Sequence, residues 1–428
     1  MDVASYLETA GTLAWEVPNL PKGIPHRPIK TVGVIGAGTM GGGISMNFVN
    51  AGLTVKIVET QQEALDRGLS VVRGNYERSA KRGRFPMEEV DERMSRFVGT
   101  LNLEDLADCD LVIEAVFENM DVKKEIFTIL DRVMKAGAIL ATNTSALDID
   151  QIASVTKRPE DVIGLHFFSP ANVMKLLEIV RTNHTADDVV ATCMTLAKTI
   201  GKVATLVGVC PGFVGNRILF ARQGQANRLL NQGVMPWDVD AALNAFGFRM
   251  GPFQMSDLAG LDIGWSKGAI TANPIRDALC EMGRRGQKTK AGFYDYDDNR
   301  NHTPSDVAAK VISDITNAEP TAMPAEDIIE ACIYPMINEA VKILEENKAQ
   351  RPSDIDVVWI NGYGWPADKG GPMFYADTVG AAAILAKMEH LAKDDPTCEP
   401  ALLLRELAAT GGKFTKIDTG GLKTNGGA

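Results

Sequence analysis

From Thr31 onward the chain alternates short apolar runs with longer segments whose apolar residues recur at helical spacing. The runs occupy 31–35, 53–59, 109–116, 138–143, 162–168, 175–180 and 202–207. Runs this short, and this rich in valine and isoleucine, read as buried strands. Strands that alternate with amphipathic helices imply a mostly parallel sheet with right-handed crossovers. One pair breaks the rhythm. Between 162–168 and 175–180 stand only Ser169 to Met174, with Ser169, Pro170 and Asn172 as turn formers, so an antiparallel hairpin is expected there. A polar helical insertion runs from about 63 to 97.

After Pro211 helical periodicity dominates and an internal repeat emerges. WDVDAALN, FGF and GPFQMSD within 237–257 recur as SDIDVVWI, YGW and GPMFYAD within 353–377. Asp238 and Asp240 align with Asp354 and Asp356, Gly251-Pro252 with Gly371-Pro372, and Asp257 with Asp377. A glycine-proline frame that recurs with its acidic partners marks two helical units in tandem. The stretch from Asp297 to Asn301 reads as the hinge between them. Residues 1–28 look appended. Val3, Leu7, Ala10 and Ala14 share one face of a short helix, and Pro18, Pro21, Pro25 and Pro28 then keep the chain extended.

Composition narrows the classes. A chain of 428 residues is too long for one ordinary core and suggests several domains. Against 44 basic residues stand 55 acidic ones, a balance of −11 that argues against a nucleic-acid partner. The six cysteines form no C-x-x-C pair and the five histidines are dispersed, so neither a metal site nor a disulfide framework is expected. Reduced thiols suggest a cytoplasmic compartment. The N-terminus carries Asp2 and Glu8 and no basic residue before Lys22, unlike a secretory or mitochondrial leader. No apolar run approaches a membrane span, and Thr424 to Ala428 carry no peroxisomal address of the S-K-L type.

Two constellations carry chemistry. The first strand is followed by Gly36-Ala37-Gly38-Thr39-Met40-Gly41, then a helix through Ile44, Met46 and Val49. Gly36 permits the tight turn, Gly38 lets the backbone approach a pyrophosphate, and Gly41 allows close helix-strand packing. Thr39 and Met40 open the helix, whose N-terminal dipole favours phosphate. Glu59 ends the second strand, where an acid bonds ribose hydroxyls and repels a 2′-phosphate, so NAD is expected over NADP; a surface cap is the competing role. The fold class expected is an α/β Rossmann-type domain followed by an all-α region of two tandem, repeat-related helical domains. The boundaries fall at 1–28, 29–208, 209–298 and 299–428. Cofactor ligands should come from loops at the carboxyl ends of strands. Glu118 and Lys123 occupy one such loop and Asn143, Thr144 and Ser145 another, although either set could cap a helix.

The second constellation is the hairpin. Cross-strand partners have positions that sum to a constant, so a turn centred on Asn172 sets His166 opposite Glu178. An imidazole beside a carboxylate is a better proton acceptor with a fixed tautomer. A base next to a hydride acceptor outlines an alcohol dehydrogenase; a structural ion pair is the plainer alternative.

VGVIGAGTMGGGI, ATNTSAL, GLHFFSPANVMKLLE, CPGFVGNRI and KTKAGFYDY stand in the order and spacing of L-3-hydroxyacyl-CoA dehydrogenases. Over roughly 29–390 the chain resembles that family, most of all the dehydrogenase half of multifunctional β-oxidation enzymes. The resemblance implies NAD-dependent, reversible oxidation of L-3-hydroxyacyl-CoA to 3-ketoacyl-CoA, in fatty-acid β-oxidation or related acyl-CoA metabolism. It makes His166 the base and Glu178 its orienting carboxylate. Ser145 would contact the substrate hydroxyl or carbonyl, and Asn216 would hold the thioester. Glu118 and Lys123 would lie near the nicotinamide ribose. Lys81 or Arg82, within a basic helical run, would meet the CoA nucleotide, with a solvated face as the plainer role. Ser169 and Ala146 depart from the residues commoner in the family, which bears on substrate placement. Multifunctional relatives carry a hydratase/isomerase domain that this chain has no room for, so a separate enoyl-CoA hydratase is the partner suggested. Monofunctional relatives pair single helical units across a dimer interface; a chain with two is expected to be pseudo-dimeric and monomeric. Two other readings stay open: a β-hydroxyacid dehydrogenase acting on free hydroxy acids, which would use a lysine instead, and a catalytically inactive NAD-binding paralogue.

Overall fold

The computed structural model describes residues 2–422, so the expectation about Thr424 to Ala428 lies outside the described residues. The chain forms two compact units that do not follow chain order. The first takes the chain up to Arg217, Ile343–Tyr363 and the stretch from Thr415; the second takes Ile218–Lys342 and Gly364–Phe414.

The first unit is built on an eight-stranded sheet in the order β3-β2-β1-β4-β5-β6-β7-β8. The strands are β1 Thr31–Ile35, β2 Thr54–Val58, β3 Phe97–Thr100, β4 Leu111–Glu114, β5 Ile139–Thr142, β6 Val162–Phe167, β7 Leu176–Arg181 and β8 Val203–Gly208. Neighbours are parallel except β6 and β7, which form the expected antiparallel hairpin. Every residue of β4, β5 and β6 is buried, as strands covered on both faces must be, and this is why their sequences are mostly apolar, with Glu114, Thr142 and His166 as the polar exceptions. Strand β3 was not anticipated. Phe97 and Thr100 are half-buried and Val98 and Gly99 exposed; Phe97 packs on the main core and the Gly99 Cα faces the Leu65 side chain.

Helix α1, Val3–Leu13, buries Ala10 and, just beyond it, Ala14 against Val357, and Tyr6 donates its hydroxyl to Asp356 Oδ2 at 2.6 Å. Arg27 then ion-pairs with Asp161 and Asp188, so residues 2–28 are packed into the first unit. Helix α2, Thr39–Asn50, follows the glycine turn and is buried along most of its length. Three successive glycines cost it roughly 1 kcal/mol each in helix propensity. Close approach requires them: a Cβ on Gly41 would lie 1.8 Å from the Gly36 carbonyl oxygen. The polar insertion folds as α3, Gln62–Lys81, and α4, Glu89–Met94.

The repeat is visible as paired helices, each opened by a proline at its first turn: Pro236–Phe246 with Pro252–Ala259, and Pro352–Gly362 with Pro372–Val379. The second copy divides, its first helix lying in the first unit and its second helix in the second. In the first copy the acidic positions are internal staples. Asp240 accepts the N–H groups of Phe253 and Gln254 and the Tyr294 hydroxyl, while Asp257 accepts the N–H groups of Phe293 and Tyr294 and the Tyr296 hydroxyl. The expected hinge is instead a hairpin turn. Strands Tyr294–Tyr296 and His302–Pro304 pair antiparallel, and the Asp297 carboxylate accepts both the backbone and side-chain N–H of Asn301. An Asp-to-Asn pair closing a turn looks the same in sequence as a flexible polar linker.

Candidate active site

The hairpin register pairs His166 with Glu178 and Phe167 with Leu177, as the turn position required. His166 Nδ1 lies 2.8 Å from Glu178 Oε2, with side chains only 6% and 0% exposed. A carboxylate only accepts, so Nδ1 carries the hydrogen and Nε2 is the nitrogen left for exchange. Glu178 Oε1 in turn accepts the Gly215 N–H at 2.9 Å. The rings of Phe168 and Phe213 flank the imidazole, with centroids 4.4 and 5.6 Å away, so the polar pair sits among apolar neighbours.

The glycine loop follows β1 at the same carboxyl end of the sheet at which His166 lies in β6. Gly36 has φ +101°, open to glycine alone, and a Cβ there would meet the Ala115 carbonyl oxygen at 2.8 Å. Gly38 starts α2 without a side-chain cap and with open space at its Cα, leaving the first-turn N–H groups free for an anion. A cavity of about 670 Å³ begins there, lined among others by Gly38, Thr39, Glu59, Arg67, Asn172 and Val173. It therefore runs from the glycine loop to the turn of the histidine hairpin. These features fit a dinucleotide. Glu59 Oε1 accepts the Ala37 N–H at 2.7 Å, so the acid braces the glycine loop while lining the cavity.

Glu118 gathers the loop after β5. It accepts the Thr144 hydroxyl at 2.6 Å, the Ser145 N–H at 2.9 Å and the Ser145 hydroxyl at 3.2 Å. Burial opposes its charge, but these bonds and nearby Lys123 outweigh it and hold the carboxyl below its usual range. Asn143 Oδ1 accepts the Phe167 N–H at 2.8 Å, tying the same loop to the residue beside His166. Lys123 is only 1% exposed. Its Nζ bonds Glu114 Oε1 at 2.7 Å and lies 3.5 Å from Glu118 Oε2, so it faces carboxylates inside the protein. Asn216 stands in the first turn of the helix Gly215–Asn231, its Oδ1 accepting the Tyr363 hydroxyl at 2.8 Å. Lys81 and Arg82 are exposed at the end of α3. That is thirteen residues, roughly 20 Å of helix, from Gly68, which packs on Ala37.

Four groups here were not read from sequence. Glu114 is fully buried and also accepts the Val116 N–H and the Thr142 hydroxyl. Arg67 faces the cavity. Lys202 donates to the Ala171 and Met174 carbonyls at 2.6 and 2.7 Å, pinning the hairpin turn, and burial pushes its pKa down to about 8. Tyr363 is the fourth. A charged residue inside an apolar run was the available signal for Glu114; the others carry none. Among the described residues all six cysteines are free and buried, no group of three or more histidine, cysteine, aspartate or glutamate side chains is arranged to hold a metal ion, and no helix is long and apolar enough to cross a membrane.

Comparison with known proteins decides the family. The model described as 3-hydroxyacyl-CoA dehydrogenase, NAD binding domain, matches residues 31–210, and that of the C-terminal domain matches 212–296 and 328–423. The chain belongs to the 3-hydroxyacyl-CoA dehydrogenase family. Its sheet domain is accordingly an NAD-binding domain. A peroxisomal bifunctional enzyme of Cavia porcellus is 44% identical over 417 residues, covering 90% of this chain and 57% of that protein. The chain thus spans little more than half of such relatives. Among solved structures, 3-hydroxybutyryl-CoA dehydrogenase from Escherichia coli K12 aligns with TM-score 0.76 at 27% identity, covering 90% of this chain and 99% of that one. The dehydrogenase part of multifunctional enzyme 1 from C. elegans aligns at 0.66 and 30% identity, covering 95% and 99%. The cytoplasmic expectation finds no support in these relatives, since the bifunctional enzyme is named as peroxisomal.

Proposed function

We propose that the chain interconverts L-3-hydroxyacyl-CoA and 3-ketoacyl-CoA with NAD, and that His166 and Glu178 form its acid-base pair. The observation that carries this is the 2.8 Å contact between a buried imidazole and a buried carboxylate, on a hairpin whose turn lines the cavity beside the glycine loop. His166 Nε2 removes the 3-hydroxyl proton in the oxidative direction and returns it to the 3-keto oxygen in the other. Glu178 stabilises the imidazolium through a charge-assisted bond sheltered from water. NAD, when bound, supplies the acceptor for the hydride leaving C3. Thr39 and Met40 offer N–H groups to its phosphates, and Glu59 meets the adenosine ribose. Glu118 holds Thr144 and Ser145 in place, Asn143 ties their loop to Phe167, and Ser145 and Asn216 bind the substrate oxygens. Lys123 acts by fixing Glu118, and Lys81 or Arg82 meets the CoA nucleotide.

The domain limits we propose remain 29–208 for the nucleotide domain, with helical domains at 209–298 and 299–428. In the second unit Phe246 and Phe248 of the first copy pack edge-on against Trp365 of the second, at 5.5 and 5.6 Å. This supports a chain whose two copies pair internally and which stands as a monomer. Consumption of NADH with acetoacetyl-CoA tests the function. Activity on free acetoacetate instead, or none on either, would refute it.

A further inference from the structure

Tyr363 follows the first helix of the second repeat copy, yet it sits against three parts of the candidate site. Its hydroxyl donates to Asn216 Oδ1 at 2.8 Å. Its ring meets Phe168 edge-on at 5.5 Å, and Phe168 lies against the His166 ring. It also covers Gly215, whose N–H holds Glu178: a Cβ on Gly215 would stand 2.3 Å from the Tyr363 ring. Trp359, one helical turn earlier, stacks beneath it at 4.6 Å. The repeat sharpens the point. In the first copy the matching residue is Phe246, which has no hydroxyl and packs among Phe248, Trp365 and Tyr375. The hydroxyl occurs in the copy whose ring reaches the site.

We propose that Tyr363 is a positioning residue that fixes which face of the Asn216 amide meets substrate. A hydroxyl donating to Oδ1 leaves the two N–H bonds of Nδ2 as the outward group. Asn216 then offers a donor, suited to the carbonyl oxygen of a thioester or 3-keto group and unsuited to a hydroxyl proton. The inference rests on the acyl-CoA reading above. It assigns part of the active site to the second helical copy.

The test is a double-mutant cycle on the full chain with acetoacetyl-CoA and NADH. Y363F keeps the ring over Gly215 and removes the hydroxyl that donates to Asn216. It should lower kcat/KM about 5–10-fold, the usual worth of one such bond, with NADH affinity unchanged. In an N216A background the same change should cost less than about twofold, because Tyr363 acts through Asn216. N216D keeps an acceptor for Tyr363 but loses the outward donor, and should be as impaired as N216A. Costs that add in the double variant, or N216D within twofold of wild type, would overturn the assignment. A wild-type chain that leaves NADH unconsumed would overturn the reading beneath it, a separate outcome.

Discussion

Glu178 uses both of its oxygens, one on the His166 ring and one on the Gly215 N–H. Glutamine has one acceptor and one donor end, so Glu178→Gln must invert one of those bonds and removes the charge that steadies an imidazolium. We expect Glu178→Gln and His166→Gln each to lower turnover about 10²–10⁴-fold while NADH titration gives an unchanged affinity. Turnover near wild type in either variant would remove the pair from the mechanism. Glu114 makes a second residue-scale case. It neutralises Lys123 in a place where neither reaches solvent. Glu114→Gln leaves that ammonium to Glu118 alone, at 3.5 Å, and should cost about 3 kcal/mol in urea unfolding. A loss below about 1 kcal/mol would show that the buried pair does not hold the fold. The His-Glu pair was legible because a hairpin links distant positions by a simple sum. Lys202 and Tyr363 were not, because their partners are a backbone carbonyl pair and an amide reached only by tertiary packing.

At the scale of elements, the hairpin that carries the proposed acid-base pair is held from two sides. Lys202, one residue before β8, grips the Ala171 and Met174 carbonyls, and Asn47 of α2 donates to the same Ala171 carbonyl at 3.0 Å. Gly43 of α2 faces Ala171 so closely that a Cβ would lie 3.2 Å from its side chain. The helix that follows the glycine loop and the turn beside His166 are therefore one packed assembly. Lys202→Met keeps the apolar stem and leaves the Met174 carbonyl without its bond, which costs about 1–3 kcal/mol when buried. Melting temperature should fall, and kcat should fall more than NADH affinity as the turn loosens. Equal losses in both would assign Lys202 to the fold alone. The central parallel strands were legible from their short, mostly apolar runs. Strand β3 and the hairpin around Asp297 were not, since each is short, polar and dependent on a neighbouring strand for its hydrogen bonds.

For the whole molecule, the repeat foretells helices better than it foretells environments. Asp238 and Asp354 occupy equivalent positions, yet the first is exposed and the second buried. Around Asp354 the chain is crowded by its own N-terminal segment, since nearby Arg351 donates to the Leu13 carbonyl. Arg351 Nε stands 3.6 Å from Asp354 Oδ1, too far for a good hydrogen bond, and that oxygen has none among the described residues. Burial, opposed by the Arg351 charge, pushes the Asp354 carboxyl up to about 7 from an ordinary 3.8. The folded chain thus keeps a proton that the unfolded chain has released. Stability from this group is whole below about pH 4 and declines as pH rises towards 7, because the folded state binds more protons throughout that window. Asp354→Asn mimics the protonated form at every pH. Its melting temperature relative to wild type should therefore rise from pH 5 to pH 8, whereas the self-repulsion of a chain carrying a balance of −11 affects both proteins nearly alike. Thermal melts of the pair across that range decide it: a difference that stays constant with pH would mean that Asp354 is already ionised where it lies buried.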